Sequence, residues 1–391
     1  MRIRIATLNV WALPTPLAEQ VSARLRAIAA LLPTLELDAI AFQEVWTTSA
    51  RNLLIAGGRR ANLRHVWHND AAFGGSGLLV LSRLPIEQVR FERYALRGLP
   101  EKISQGDFYG GKGFAQVRLR TPAGPLTLIN THLQARYSKT VPHEYRALRT
   151  GQIVQLSLAT LGLRAPLIVA GDFNIQDQDE SYRVLTGLTG LRDVAAELLA
   201  AEPTVLGRNA YRGDTSKPDR RIDYVFVRDG SDAQIVSRRV ERVFDDPLTL
   251  DGKPASYSDH AGVLVELEIA PGVQRAQPAP NRYAIQRAVQ LLSAGRSEAQ
   301  RRQRETRTWA GAGLGCAVIA SVGTRGLTTT RRRLLRGALQ AAALVALTRG
   351  VGFSILSEVF VPDELRAFEA LTQRLVQLSA RLDSEIPLSL A

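Results

Sequence analysis

Eight polar residues stand where short apolar runs begin or end. Asn9 ends "RIATLNV", Glu44 "AIAFQEV", His132 "LTLINTHL", and Asp172 with Asn174 "LIVAGDFN"; Asp223 lies in "RIDYVFV", and Asp259 with His260 opens "DHAGVLVEL". Taken singly, each serves as well as a turn former. Together they supply carboxylates for a hard cation, amides beside them and two imidazoles, the inventory that phosphoester hydrolysis requires. A further stretch, "GDFYGGKGFAQV" at 106–117, sets Asp107 five positions before Lys112 in a glycine-rich loop that runs into a strand. A phosphate-binding loop of the Gly-Lys-Ser/Thr type is excluded, because Lys112 is followed by Gly113 and Phe114 and no helix opens there.

The elements that must position these residues are mostly strands. "RIRIATLNV", "DAIAFQEV", "GSGLLVLSR", "GFAQVRLR", "LTLINTHL", "APLIVAGDF", "RIDYVFVR" and "HAGVLVELEI" are β-rich runs bounded by turn residues. Helices fit "AEQVSARLRAIAALLPTL" and "EYRALRTGQIVQLSLATLGL", whose apolar positions recur every three or four residues. Strands with interleaved helices predict an α/β domain over 1–270, with too many strands for one small sheet.

A composition of 45% hydrophobic and 22% charged residues is ordinary for a folded protein, so disorder is not the default. The single Cys316 excludes an intrachain disulfide and a cysteine-based zinc site. "MRIRIATLNVWALP" lacks the apolar core of a signal peptide, so cytoplasmic synthesis without cleavage is expected.

Residues 271–282, "PGVQRAQPAPNR", form a Pro-rich linker, and 283–391 read as a helical region of different character. From Arg275 onward there are 17 Arg and 8 acidic residues, so +9 of the net +13 lies in this tail. Two apolar segments, 308–324 and 337–357, are of marginal spanning length; the second contains Arg349, which at mid-bilayer costs roughly 2.5–3.5 kcal/mol. A membrane-associated helical hairpin is expected, spanning or re-entrant; the alternative is two helices packed on the globular part or on another subunit. "PDELRAFEALTQRLVQLSARLDSE" reads as an amphipathic helix of mixed charge with a solvated face. Oligomerisation through these helices is possible.

The blocks "LNVW", "FQEVW", "NTHLQA", "GDFN", "RIDYV" and "SDHAGV", in that order over residues 1 to about 268, resemble the endonuclease/exonuclease/phosphatase (DNase I-like) superfamily. Within it, the Trp after Asn in "LNVWALP", the block "NTHLQARY", the loop "GDFYGGKGF" and the apolar C-terminal hairpin resemble the neutral sphingomyelinases. That resemblance implies a four-layer sandwich of two mixed β-sheets flanked by helices. It implies Mg²⁺-dependent (Mn²⁺ being possible) hydrolysis of a membrane sphingophospholipid, sphingomyelin to ceramide and phosphocholine, by a membrane-associated protein with a cytoplasmic catalytic domain.

Carried over by motif, Glu44, Asn9 and Asp259 hold the metal, and His260 is the general base, oriented by Asp223. Asp172 orients the water, while Asn174 and His132 donate to phosphate oxygens. Lys112 and Asp107 form a switch: Lys112 reaches the phosphate or its neighbouring oxygens when lipid is bound, and in the other state Asp107 pairs with Lys112 or with catalytic residues. His65, His68 and His143 have no role in this scheme; Trp46 and Trp67 are packing residues, and Trp11 could line the lipid entry.

A nuclease of the same superfamily shares the chemistry, but the basic excess lies past the linker and the catalytic part is nearly balanced, which argues against nucleic acid. An inositol-polyphosphate phosphatase would carry a Trp-Cys-Asp-Arg block where "KPASYSDH" stands. A non-enzymatic membrane scaffold with a relic fold is countered by the filled catalytic positions. Choline, ethanolamine, inositol and lyso-lipid head groups stay open, since all present the same reacting phosphate.

Overall fold

The computed structural model describes residues 1–69, 75–138, 141, 143–212, 218–272, 278–325 and 332–384. In chain order the strands are β1 (Arg2–Ala12), β2 (Ala39–Val45), β3 (His65–His68), β4 (Leu79–Ser82), β5 (Ile86–Arg93), β6 (Gly113–Thr121), β7 (Gly124–His132), β8 (Leu167–Asp172), β9 (Arg192–Asp193), β10 (Asp223–Arg228), β11 (Ala233–Val243), β12 (Leu248–Leu250), β13 (Lys253–Ala255) and β14 (Gly262–Pro271). The helices are α1 (Val21–Leu31), α2 (Thr48–Arg60), α3 (Arg146–Thr160), α4 (Glu180–Thr189), α5 (Val194–Glu197), α6 (Arg282–Gly323), α7 (Arg333–Ile355) and α8 (Val361–Ser384).

Two six-stranded sheets, ordered β11-β14-β1-β2-β4-β3 and β5-β6-β7-β8-β10-β9, make the first unit, and β12 pairs with β13 apart from them. In each sheet the middle three strands repeat one pattern. β1 runs parallel to β2 and antiparallel to β14, as β8 runs parallel to β7 and antiparallel to β10. This is the mixed two-sheet architecture that the motif order implied.

The period-2 alternation of a strand sorts its side chains between two cores. Ile3, Ile5, Ala39, Ala41, Leu126, Leu128, Ile168, Ala170, Val225 and Val265 share the core between the sheets. The residues of opposite parity, Ala6, Leu8, Ile40 and Phe42, pack with Leu25 and Ile28 of α1 and Leu54 of α2. On the second sheet's outer face Tyr224 and Phe226 meet Phe173 and Tyr182 of α4. Burying each large apolar side chain contributes about 1.5–3 kcal/mol. That apolar packing offsets the crowding of polar groups at one end of the sandwich, where the same inward parity turns from Ile5 to Thr7 and Asn9, from Ala41 to Gln43, and from Leu128 to Asn130 and His132.

The chain divides into two units at a different place from the Pro-rich stretch. The first unit is Met1–Gly98 with Ser104–Ala288, and the second is Leu99–Ile103 with Val289–Ala391. Of the expected linker, residues 273–277 lie outside the described residues. Its end is held in the first unit, where Asn281 N–H donates to the Gly187 carbonyl at 2.7 Å and Pro278 lies against Gly190. The first turns of α6 thus belong with the sandwich.

In the second unit, α6 is one 42-residue helix whose C-terminal end is the first apolar segment. It runs antiparallel to α7 and α8. Gly313 meets Gly350, and Gln303 Nε2 donates to the Ser357 carbonyl at 2.8 Å. Arg307 pairs with Glu358 at 2.7 Å, and Arg302 pairs with Glu364. A Cβ on Gly313 would stand 2.9 Å from Gly350 Cα, so the absence of side chains permits the close crossing.

The terminal stretch is the expected amphipathic helix, burying Phe368, Leu371 and Leu375 on one face with the other solvated, and α7 continues into it through a π-turn at Leu356–Phe360. Pro362 supplies the cause, since its ring clashes with the carbonyl four residues back and the wider turn relieves that clash. Among the described residues only the helix beginning at Arg333 is long and apolar enough to cross a membrane, with 17% of its apolar stretch buried. Leu344, Val345, Leu347 and Val351 are exposed on it, as are Val318 and Ile319 on α6.

Candidate active site

The polar ends of β1, β2, β7 and β8 and the starts of β10 and β14 lie at one edge of the sandwich. Register brings three expected residues side by side on the second sheet. His132 is opposite Asp172 on β8, and Asp172 is opposite Asp223 on β10. Adjacent strands are about 4.8 Å apart, so residues far apart in sequence become neighbours.

Gly171 permits this spacing. A Cβ there would stand 1.9 Å from the Thr131 carbonyl oxygen, so only glycine fits before Asp172. Asp172 then accepts from the Asn174 N–H at 3.0 Å, and Asn174 takes a left-handed backbone (φ 50°), which asparagine tolerates.

The first sheet contributes by breaking its alternation. Glu44 has the parity of Ile40 and Phe42, which face the helices, but its φ of 59° and the register shift after Asn9 break the pattern at the strand's end. Asn9 Nδ2 donates to Glu44 Oε1 and to Asp172 Oδ2, both at 3.0 Å, and so links the two sheets. Trp11 also has positive φ, and the buried Arg24 guanidinium holds this bend by donating to the Val10, Trp11 and Tyr257 carbonyls. The Trp11 ring packs on Arg24 and Tyr211.

His260 Nδ1 is 2.8 Å from Asp223 Oδ2, and its Nε2 is 4.0 Å from Asp172 Oδ2. Asp223 is itself held by the Thr204 hydroxyl at 2.6 Å. Ser258 donates to the Asn9 carbonyl at 2.6 Å and so ties the "SDH" segment to β1.

The loop residues pair with each other. Lys112 Nζ lies 2.7 Å from Asp107 Oδ1, 3.0 Å from His132 Nε2 and 2.9 Å from the Leu133 carbonyl. Asp107 also accepts from Gln134 Nε2 at 2.5 Å. The loop glycines have separate jobs: Gly106 and Gly111 take positive φ, while Gly110 lies against the Trp46 ring.

Electrostatics follow from burial and crowding. Burial, then the Asp223 charge, pushes the Asp172 carboxyl up to about 7. Burial and Asp259 raise Glu44, against the Asn9 hydrogen bond and Lys112. Burial lowers His132 well below the usual range, and Lys112 lowers it further, so it is neutral. Burial opposes charge on His260, but Asp223, Asp259 and Asp172 together hold it well above its ordinary value.

These carboxylates fit a hard divalent cation. The side chains named at this edge offer oxygen or imidazole, Asp223 Oδ1 is buried without a hydrogen-bond partner among the described residues, and the buried Lys112 is already paired with Asp107. Ligand atoms of Asp172, Asp223 and His260 lie within 4.8 Å of one another. The expected metal set Glu44, Asn9 and Asp259 stands beside that group, linked to it by the Asn9 bond to Asp172. The ten expected site residues thus fall at this edge or on the loop joined to it through Lys112 and His132. Thr204, Ser258, Arg24 and Gln134 were not anticipated. Ser258 in "SDHAGV" and Gln134 in "NTHLQA" stood inside motif blocks; Thr204 and Arg24 carried no such signal.

A two-sheet sandwich with carboxylates, amides and a His–Asp pair at one edge offers the groups that metal-assisted phosphoester hydrolysis would use. The chain belongs to the Endonuclease/Exonuclease/phosphatase family, whose pattern residues 6–260 match. More particularly, it is 31% identical over 278 residues to a putative neutral sphingomyelinase of Drosophila melanogaster, covering 69% of this chain and 61% of that protein. The chain thus spans less than two thirds of that relative's length. It is 28% identical to the inositol phosphosphingolipids phospholipase C of Schizosaccharomyces pombe, over 71% of this chain and 70% of that one. In fold it is similar to sphingomyelinase C from Streptomyces griseocarneus, with a TM-score of 0.52 at 19% identity, over 68% of this chain and 99% of that structure.

Proposed function

We propose that this protein is a Mg²⁺-dependent phosphodiesterase of membrane sphingophospholipids, releasing ceramide and the phosphorylated head group; from sphingomyelin the second product is phosphocholine. The observation that carries this reading is the His260–Asp223 pair directed at Asp172, in a chain similar to neutral sphingomyelinases.

Asp223 accepts the Nδ1–H of His260 and leaves Nε2 to take a proton from the attacking water. The water oxygen bonds to phosphorus, the bond to the ceramide oxygen breaks, and that oxygen takes up a proton. Asp172 orients the water, and Asn174 has a second amide hydrogen for a phosphate oxygen beyond the one given to Leu133. Glu44 with Asn9 and Asp259 would hold Mg²⁺, which neutralises charge building on the phosphoryl oxygens. A divalent ion held by those residues would also offset the carboxylates that favour the His260 imidazolium. Lys112 leaves Asp107 for the phosphate when lipid binds. The exposed apolar surface of α7 attaches the protein to the membrane, with the catalytic unit on the cytoplasmic side.

The test is phosphocholine release from sphingomyelin in detergent micelles, with and without Mg²⁺, by wild type and Glu44→Ala, against other phospholipids and abasic DNA. Loss of lipid turnover in the variant and without Mg²⁺ is expected. DNA cleavage with no lipid turnover would overturn the assignment.

A further inference from the structure

Tyr137 closes the block "NTHLQARY" and has no role in the scheme so far. Its backbone is pinned, because the Glu144 carboxylate accepts the Tyr137 and Ser138 N–H groups, both at 2.6 Å. The side chain crosses to the switch loop, where the phenol donates to the Gln105 carbonyl at 2.7 Å, and the Tyr145 hydroxyl donates to the Gln105 side chain, also at 2.7 Å. Gln105 precedes Gly106, whose positive φ opens the loop that carries Asp107 and Lys112.

The phenol has a second acceptor within reach. Asp107 is a hydrogen-bonding neighbour of the same hydroxyl, and burial together with the Asp107 charge pushes the phenol above its ordinary range. The buried Asp107 carboxylate is served by Lys112 at 2.7 Å, by Gln134 Nε2 at 2.5 Å and by the Ala135 N–H at 3.3 Å. When Lys112 leaves for the phosphate, that carboxylate loses its paired cation and calls for another donor. A phenol has one proton and cannot give it to both acceptors. A hydrogen bond to a buried charge outweighs one to a neutral carbonyl, so the proton turns from Gln105 to Asp107.

Resting on the proposed function, we infer that Tyr137 is a positioning residue whose single hydroxyl proton links the departure of Lys112 to the release of the switch loop. With Lys112 on Asp107, the proton holds the Gln105 carbonyl; with Lys112 gone, it holds Asp107 and frees that carbonyl. Tyr145 keeps the Gln105 side chain in place, so what turns is the Gln105–Gly106 peptide, and glycine tolerates the turn. Tyr137 takes no part in the bond-breaking step.

The first test needs no turnover. Urea midpoints at pH 8, above the ordinary carboxyl range, are compared for Tyr137→Phe in three backgrounds: wild type, Lys112→Met, where Asp107 relies on the phenol, and Lys112→Met with Asp107→Asn, where it does not. The midpoint shift caused by Tyr137→Phe is expected to be at least about twice as large in Lys112→Met as in wild type, and to return to the wild-type size once Asp107→Asn is added. The second test is kinetic. On sphingomyelin micelles with Mg²⁺, Tyr137→Phe is expected to raise KM roughly three- to tenfold with kcat within about twofold, because fewer molecules have Lys112 free. Equal urea shifts in all three backgrounds, or an unchanged KM in folded Tyr137→Phe, would overturn the inference. No lipid turnover by folded wild type would instead remove the proposed function and leave the urea comparison to decide where the proton goes.

Discussion

The Lys112 ammonium stands 3.0 Å from His132 Nε2, and a lysine can only donate. Accepting from Lys112 requires the lone pair on Nε2 and so puts the proton on Nδ1, a buried atom with no hydrogen-bond partner among the described residues. In this arrangement the histidine is not a donor toward the cleft, and Nε2 becomes available only when Lys112 moves away.

Nitrogen-15 spectra of the histidine rings are expected to show the Nδ1–H tautomer for His132 in the wild type. Lys112→Met removes both the donor and a charge that lowers the His132 pKa, so the titration moves up and kcat/KM falls about 10²-fold or more. An Nε2–H tautomer in the resting wild type would contradict the pairing.

His260→Ala is expected to cost roughly 10²–10⁴-fold in turnover, the usual range for a general base, with an unchanged melting profile in Mg²⁺. Asp223→Asn keeps the shape but no longer fixes the tautomer or stabilises the imidazolium, so its loss is of similar order. Substantial activity in His260→Ala would sink the assignment of the base.

Metal binding and pH are linked with a definite sign. Asp172 and Glu44 are raised and His260 is raised, so the metal-free folded protein holds protons that the unfolded chain has given up. Its stability from these groups is fully present at low pH and falls as pH rises, from the ordinary carboxyl value of about 4 through about 7 for Asp172 and on through the raised His260 value. Those protons compete with a divalent ion. The rise in melting temperature on adding Mg²⁺ to protein stripped with EDTA is therefore expected to grow between pH 5.5 and 8, and calorimetry in buffers of different ionisation enthalpy should record proton release. A Mg²⁺ effect independent of pH would count against these carboxylates as its site.

Gly171→Ala places a methyl group on the Thr131 carbonyl, and strands β7 and β8 must part to admit it. The expected cost is at least about 1–3 kcal/mol with loss of turnover, read as a lowered urea midpoint. An active variant of wild-type stability would show that the close approach does not matter.

Leu344→Glu with Val345→Glu puts charge on the exposed apolar face of α7. Sedimentation with vesicles is expected to fall sharply, while hydrolysis of micellar lipid stays near wild type. Unchanged vesicle binding would move the membrane contact elsewhere.

Much of the sandwich was legible because its central strands carry dense apolar runs. All eight runs read as strands became β1, β2, β4, β6, β7, β8, β10 and β14. The strands not anticipated were β3, β5, β9 and β11, at the sheet edges, together with the β12–β13 hairpin. An edge strand such as "IEQVRFER" is half exposed, and polar residues interrupt its alternation. Pro362 was read as the start of a new helix, whereas packing against α6 carries the helix through it.

The order of short motifs, each a polar residue closing an apolar strand, determined by itself the family, the chemical inventory and the pairing partners expected in the loop. It could do so because strand ends and turns impose local rules that residue type satisfies or fails. Only the tertiary structure decided that His132, Asp172 and Asp223 stand in register, that positive φ at Glu44 breaks the strand's alternation, and that Thr204 braces Asp223. Those relations depend on backbone handedness and on register between segments about 90 residues apart, as His132 and Asp223 are, and no local pattern encodes such a distance.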